Sequence, residues 1–63
     1  MKINGKDTTA FCGTVLEYLQ QHDYQVERVA VEYNGDILQR DQYQSVLLRS
    51  DDVLEIVSFV GGG

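Results

Sequence analysis

The chain has 63 residues and a net charge of −5, from ten acidic and five basic side chains. A domain this small buries only about 60% of the surface that its unfolded chain exposes, which argues against a deep catalytic cleft. The acidic balance argues against a nucleic-acid partner, because phosphates require a basic surface. The charge favours either a partner with a positive surface or simple solubility, and we expect a binding or carrier module.

The hydrophobic content of 43% predicts a folded domain. No apolar stretch is long enough to span a bilayer and no leader is evident, so we expect a cytoplasmic protein without membrane contact. Cys12 is the only cysteine; it cannot form an internal disulfide, and we expect it to be buried as a small hydrophobe. His22 has no second histidine or cysteine nearby, so no metal site is predicted.

The first predicted element is a β-hairpin. Residues 1–3 alternate apolar and polar side chains, and Asn4-Gly5 is a strong two-residue turn signal. Residues 8–12 are rich in β-branched and aromatic side chains, which predicts the returning strand. Gly13 ends that strand.

A helix is predicted next, from Thr14 to about His22. Thr14 and Glu17 have the spacing of a capping box, in which each side chain binds the other residue's backbone N–H. His22 would then interact favourably with the C-terminal end of the helix dipole. One face is apolar at helical spacing and carries Val15, Leu19 and either Tyr18 or Leu16.

The second half of the chain predicts three more strands. Residues 29–34 alternate as a half-buried strand, and a turn at residues 34–36 leads to a short strand at 37–38. Residues 40–43 are polar and predict a short helical turn. A turn at residues 50–52 then leads to the last and longest strand, at 53–60.

This order of elements predicts an α+β, β-grasp fold for residues 1–60, followed by a flexible C-terminal tail at 61–63. The first and last strands would pair in parallel at the centre of a mixed sheet, with the helix across one face. Alternation along the strands and the apolar spacing of the helix predict the residues that point into the core: Met1, Ile3, Val15, Leu19, Val31, Leu54 and Ile56.

The same alternation turns Glu55, Val57 and Phe59 toward solvent. Two exposed apolar side chains near the tail are typical of a docking surface. The alternative is that Val57 and Phe59 only express the preference of strands for such residues. Arg40 would either bind an acidic surface of a partner or cap the turn before it.

The last three residues are Gly61, Gly62 and Gly63. Ordering glycine costs more conformational entropy than ordering any other residue, so the segment adds nothing to stability. It would fit a slot that is too narrow for a Cβ atom and present the carboxylate of Gly63 to another protein's active site. The alternative is an ordinary fraying end.

One pattern runs through the chain: Met1-Lys2-Ile3, Asn4-Gly5, Thr14-Val15, Leu19, Val31-Glu32-Tyr33-Asn34-Gly35-Asp36-Ile37, Arg40 and Phe59-Val60-Gly61-Gly62-Gly63. In this pattern the sequence resembles the ThiS family, the sulfur carriers of thiamine biosynthesis, along essentially its whole length. Two departures are Gln39, where the family usually has proline, and Asp51, where it usually has a Gly-Asp turn.

The resemblance implies a protein cosubstrate that is not itself an enzyme and binds no cofactor. A ThiF-like adenylating enzyme would use ATP to adenylate the Gly63 carboxylate. A persulfide derived from cysteine would then convert it to a thiocarboxylate, which would donate sulfur to a ThiG-like thiazole synthase. Two alternatives stay open: a carrier like the small subunit of molybdopterin synthase, and a ubiquitin-like protein modifier.

Overall fold

The computed structural model describes residues 1–59. It contains five strands and one α-helix, together with two short 3₁₀ turns at Val26–Arg28 and Arg40–Gln42. The strands and the helix, in chain order, are β1 (Lys2–Ile3), β2 (Lys6–Asp7), α1 (Val15–Gln21), β3 (Val29–Tyr33), β4 (Asp36–Ile37) and β5 (Val53–Ser58).

The strands form a single mixed sheet in the order β2-β1-β5-β3-β4. β1 and β5 pair in parallel at Lys2↔Val53 and Ile3↔Leu54, and the remaining pairs are antiparallel. The predicted β-grasp arrangement, with the first strand beside the last at the centre of the sheet, is confirmed.

Helix α1 begins with the predicted capping box. Thr14 Oγ1 accepts a 3.1 Å hydrogen bond from the Glu17 N–H, and Glu17 Oε1 accepts a 2.8 Å bond from the Thr14 N–H. The helix ends at Gln21, and the C-cap residue His22 stacks its ring on Tyr18 with centroids 4.2 Å apart. No helix in residues 1–59 is long and apolar enough to cross a membrane.

The core lies between α1 and one face of the sheet. Six of the seven predicted core residues are buried, whereas Met1 is only partly buried because it precedes β1 at the margin of the sheet. Tyr43 and Leu48 are buried although the sequence did not predict it. The full set of buried apolar residues is Ile3, Val15, Tyr18, Leu19, Val29, Val31, Tyr43, Leu48, Leu54 and Ile56.

The returning strand of the hairpin was predicted at residues 8–12, and this prediction is wrong. The strand is β2, which begins at Lys6 immediately after the Asn4-Gly5 turn, because a two-residue turn leaves no room for a longer connection. Residues 8–13 instead cross the surface without regular structure. Cys12 is therefore exposed and not buried as expected.

The other strand boundaries differ from the predictions by one or two residues. β3 ends at Tyr33, β4 begins at Asp36, and β5 ends at Ser58. The Phe59 N–H nevertheless donates a 2.7 Å hydrogen bond to the Arg28 carbonyl, so pairing beside β3 continues one residue past β5. The predicted helical turn at residues 40–43 is present as the 3₁₀ turn at Arg40–Gln42.

Candidate functional site

Alternation along β5 divides its side chains between the core and the opposite face of the sheet. Leu54 and Ile56 are 0% and 5% exposed, whereas Val57 and Phe59 are 57% and 59% exposed. Glu55, which lies between Leu54 and Ile56 in the chain, is also exposed. The predicted register of the last strand is confirmed, and three of the predicted partner-binding residues lie on the solvent side. Their role in docking stays a prediction.

The exposed apolar surface extends beyond β5 onto the neighbouring strands. Val57 lies opposite Ala30 of β3, and Ile37 of β4 is 70% exposed. A shallow groove of about 270 Å³ runs between these side chains and is also lined by Glu32 and Glu55. We give the name outer patch to four apolar residues of this face, namely the half-buried Ala30 and the exposed Ile37, Val57 and Phe59.

Two carboxylates border the outer patch. Glu32 of β3 lies directly opposite Glu55 of β5, and both residues are exposed. Like charges at directly opposed positions of an antiparallel pair destabilise the sheet. The pair therefore gives nothing to folding, but it places two negative charges beside an apolar groove where a cationic side chain of a partner can bind.

Arg40 lies close to the point where the chain leaves the sheet. Its Nη2 donates a 3.0 Å hydrogen bond to the carbonyl of Glu27, and the next carbonyl along the chain, that of Arg28, accepts from the Phe59 N–H. Arg40 thus binds a distant 3₁₀ turn and not the turn that precedes it in sequence. A docking role for its exposed guanidinium stays a prediction.

Asp52 is the principal polar residue that sequence reasoning missed. Its side chain is 4% exposed and accepts hydrogen bonds from Tyr33 Oη at 2.9 Å, Asn34 Nδ2 at 3.1 Å and the Arg49 N–H at 2.7 Å. Burial by itself raises the pKa of Asp52, but these hydrogen bonds outweigh burial and hold the pKa below its usual value.

The phenol of Tyr33 shows the opposite shift. Its pKa is raised, first by burial and then by the hydrogen bond to the Asp52 carboxylate. No sequence signal links residues 33 and 34 to residue 52. The network holds the turn before β5 against the turn that follows β3, so its role is to support the start of β5.

No metal site is formed by the described part of the chain, where no cluster of three potential ligands exists. Cys12 is exposed on the irregular segment after β2. The predicted reactive residue Gly63 and the tail residues Gly61 and Gly62 lie outside the described residues, as does Val60.

Comparisons with known proteins agree with this geometry. The model of the ThiS family matches residues 1–63. The sulfur carrier protein ThiS of Bacillus subtilis is 38% identical over 65 residues, which cover 100% of this chain and 98% of that protein. The crystal structure of the thiamine biosynthesis protein ThiS from Geobacter metallireducens superposes with a TM-score of 0.81 at 35% identity, covering 98% of this chain and 96% of the other.

A thiazole synthase from Magnetococcus marinus is also similar to this chain. It is 42% identical over 62 residues, which cover 97% of this chain but only 19% of that protein. The chain therefore spans about a fifth of the length of this relative.

Proposed function

The chain belongs to the ThiS family, and from this membership we propose that it carries sulfur for thiazole formation in thiamine biosynthesis. The observation that supports this most directly is the match to the Bacillus subtilis sulfur carrier along 98% of that protein's length.

The proposed chemistry takes place at the carboxylate of Gly63. A carboxylate oxygen attacks the α-phosphorus of ATP on a ThiF-like adenylating enzyme, and pyrophosphate leaves. The terminal sulfur of a cysteine-derived persulfide then attacks the acyl carbon, and AMP leaves with the electron pair of the broken C–O bond. A thiol finally cleaves the resulting S–S bond and leaves a thiocarboxylate. Adenylation is needed because a free carboxylate is a poor acyl donor.

Gly61 and Gly62 are proposed to enter a channel of the adenylating enzyme that excludes a Cβ atom. The last described backbone contact before them is the hydrogen bond from the Phe59 N–H to the Arg28 carbonyl. The four residues after Phe59 span at most about 14 Å when extended. The carboxylate can therefore reach well beyond the sheet while residues 1–59 remain folded on the partner's surface.

The outer patch is the surface that we propose to dock on the adenylating enzyme. Val57 and Phe59 are more than half exposed, and they lie in the same extended segment that leads to the tail. Apolar contacts at the patch would supply affinity, while Glu55 and Arg40 at its border would orient the two proteins through charge. An interface built in this way would fix the direction from which the tail approaches ATP.

A thiazole synthase is the proposed acceptor of the sulfur. One observation supports this partnership: a segment similar to this chain makes up 19% of a protein named thiazole synthase in Magnetococcus marinus. Fusion into one polypeptide raises the effective concentration of two modules that work together. We propose that the separate chain meets the same kind of enzyme in trans.

The test of this function is the intact mass of the purified chain after incubation with ATP, the ThiF-like enzyme, a cysteine desulfurase, cysteine and a thiol. We expect a gain of about 16 Da, since one oxygen is replaced by sulfur, and no gain when ATP is omitted. A conjugate with the mass of a second protein would instead indicate a modifier. Transfer to a molybdopterin synthase large subunit but not to thiazole synthase would indicate the other carrier class.

A further inference from the structure

Two Asn-Gly turns hold the central strand β5 from opposite sides. Asn4 and Asn34 both adopt left-handed backbone conformations, with φ of 52° and 50°, and a glycine with positive φ follows each of them. Asn34 Oδ1 accepts a 2.8 Å hydrogen bond from the Val53 N–H at the start of β5. Asn4 binds β5 three residues further along, at Ile56.

The contact of Asn4 with β5 uses both ends of its side-chain amide. Oδ1 accepts a 2.7 Å hydrogen bond from the Ile56 N–H, and Nδ2 donates a 3.1 Å bond to the Ile56 carbonyl. The two residues are 52 positions apart in sequence. An amide that binds both the N–H and the C=O of one strand residue reproduces what a residue of a neighbouring strand would do.

The side-chain amide of Asn4 matters because β1 ends before it can pair with Ile56. The last β1–β5 pair is Ile3↔Leu54, and the Asn4 N–H donates a final backbone bond of 2.9 Å to the Leu54 carbonyl. The chain then turns away into β2. In residues 1–59, β3 continues to pair with the other edge of β5 as far as Ser58. Within residues 1–59, Asn4 therefore provides the last hydrogen bonds that β5 receives from β1's side of the sheet.

We propose that Asn4 is a positioning residue, which sets the direction in which β5 delivers the carboxyl-terminal residues to the adenylating enzyme. The inference rests on the proposed function and adds a role for a turn residue far from the reacting carboxylate. Without the Asn4 amide, β5 beyond Leu54 is held from one side only and can tilt about its pairing with β3.

The expected size of the effect follows from the length of chain beyond the clamp. Seven residues follow Ile56, up to and including Gly63, a reach of about 24 Å when they are extended in a partner's channel. A tilt of about 5° at Ile56 then moves the far end by about 2 Å, whereas a misplacement of about 1 Å can already cost on the order of 100-fold in rate. The docking surface itself would change less, because Val57 and Phe59 lie only one and three residues beyond Ile56, so that the same tilt moves them by less than about 1 Å.

The test compares Asn4→Gly with Asn34→Gly. Glycine accepts the left-handed conformation at both positions, so each variant keeps its turn and loses only the amide. Asn34→Gly is the matched control, because Asn34 binds Val53 at the start of β5, whereas Asn4 binds Ile56 closer to its end. The readouts are kcat and KM for the carrier in ATP–pyrophosphate exchange by the ThiF-like enzyme, and the hydrogen-exchange rate of the Ile56 amide.

We expect Asn4→Gly to lower kcat by about 10-fold or more, with KM within about 2-fold of wild type, and to speed exchange of the Ile56 amide. Asn34→Gly should keep the wild-type kcat even if it unfolds more easily. Asn4→Asp, which keeps the acceptor for the Ile56 N–H, should retain more activity than Asn4→Gly. Equal kcat in all variants, or equal loss in both glycine variants, overturns the positioning role. A wild-type chain that supports no exchange overturns the proposed function itself.

Discussion

Tyr33 donates a 2.9 Å hydrogen bond from its phenol to the carboxylate of Asp52, which also receives the side-chain amide of Asn34. Val53, the residue after Asp52, begins β5. This strand contributes buried side chains to the core, contributes Val57 to the outer patch and leads to the C-terminal tail. A buried carboxylate thus fixes the start of the strand on which the proposed function depends.

The first prediction concerns the pH dependence of stability. The folded pKa of Asp52 lies below its usual value, so its stabilising effect is complete above the unfolded-state pKa and is lost as the pH falls through the folded value. Asp52→Asn should lower the free energy of unfolding by about 1–3 kcal/mol at pH 7, because an amide nitrogen would face hydrogen-bond donors. Urea unfolding at a series of pH values measures this difference.

The difference in unfolding free energy between wild type and Asp52→Asn should shrink as the pH falls below about 4, since the unfolded wild type is protonated at Asp52 first and the folded wild type follows only at its lower pKa. Asp51→Asn is the matched control, because Asp51 is the exposed neighbour. A difference that stays constant with pH, or an equal effect of Asp51→Asn, would contradict the prediction.

The second prediction concerns the core. Leu54 is fully buried at the centre of the sheet, so Leu54→Ala should reduce the free energy of unfolding by about 2–5 kcal/mol. Val57→Ala removes a side chain of similar kind from the opposite face of the same strand and should change stability by no more than about 0.5 kcal/mol. Chemical denaturation of both variants compares the two faces directly. Similar losses in the two variants would mean that the outer patch is packed in solution.

The start of α1 and the two faces of β5 could be predicted from the sequence, because each depends on a pattern of residues that are close together in the chain. The Thr14–Glu17 capping box requires only two residue types at a fixed spacing, and it is present as predicted. The alternation from Leu54 to Phe59 is long enough to assign each side chain to a face of the sheet. Both signals depend on neighbours in the chain and need no tertiary information.

The missed features have in common that their partners are distant or their elements very short. β2 contains only Lys6 and Asp7, and two charged residues show no periodicity; charge is nevertheless usual on an edge strand, where it discourages pairing with other chains. Tyr43 lies in a polar stretch, and its partners are distant in sequence: its carbonyl accepts a 2.9 Å bond from the Leu16 N–H of α1, and its phenol donates a 3.5 Å bond to the Val29 carbonyl of β3. Asp52 is buried through bonds to residues 18 and 19 positions away.

The third prediction tests the outer patch as a docking surface. Val57→Asp and Phe59→Asp should each weaken binding to the ThiF-like enzyme by about 10-fold or more, because a charge would be desolvated in an apolar contact. Leu47→Asp is the control, since Leu47 is 63% exposed but lies outside the outer patch. Isothermal titration calorimetry with each purified variant gives the affinities. Wild-type binding by both patch variants would assign docking to another surface.

The fourth prediction separates stability from recognition at the Glu32–Glu55 pair. Glu55→Gln removes the repulsion between opposed carboxylates and should raise the free energy of unfolding by up to about 1 kcal/mol. The same change should slow association with the adenylating enzyme at low salt, because it removes a charge that steers the encounter.

Asp23→Asn makes the same change in net charge at an exposed residue after α1, so it controls for overall charge. Asparagine also tolerates the positive φ of 62° at that position. Stopped-flow association rates at two salt concentrations, together with unfolding curves, measure both effects. Faster or unchanged association of Glu55→Gln would show that the pair does not attract this partner.

The last prediction concerns the reacting carboxylate. Deleting Gly63 moves the terminal carboxylate back by about 3.5 Å, the length of one extended residue, and so out of line with ATP. Because reactive geometry tolerates much smaller displacements, the shortened chain should not gain the mass of about 16 Da that marks sulfur transfer. Replacing Gly62 with phenylalanine should also prevent transfer, by placing a side chain in the proposed narrow channel. Both variants should retain wild-type binding at the outer patch, since Val57 and Phe59 are unchanged. A shortened chain that still acquires sulfur would remove Gly63 from its proposed role.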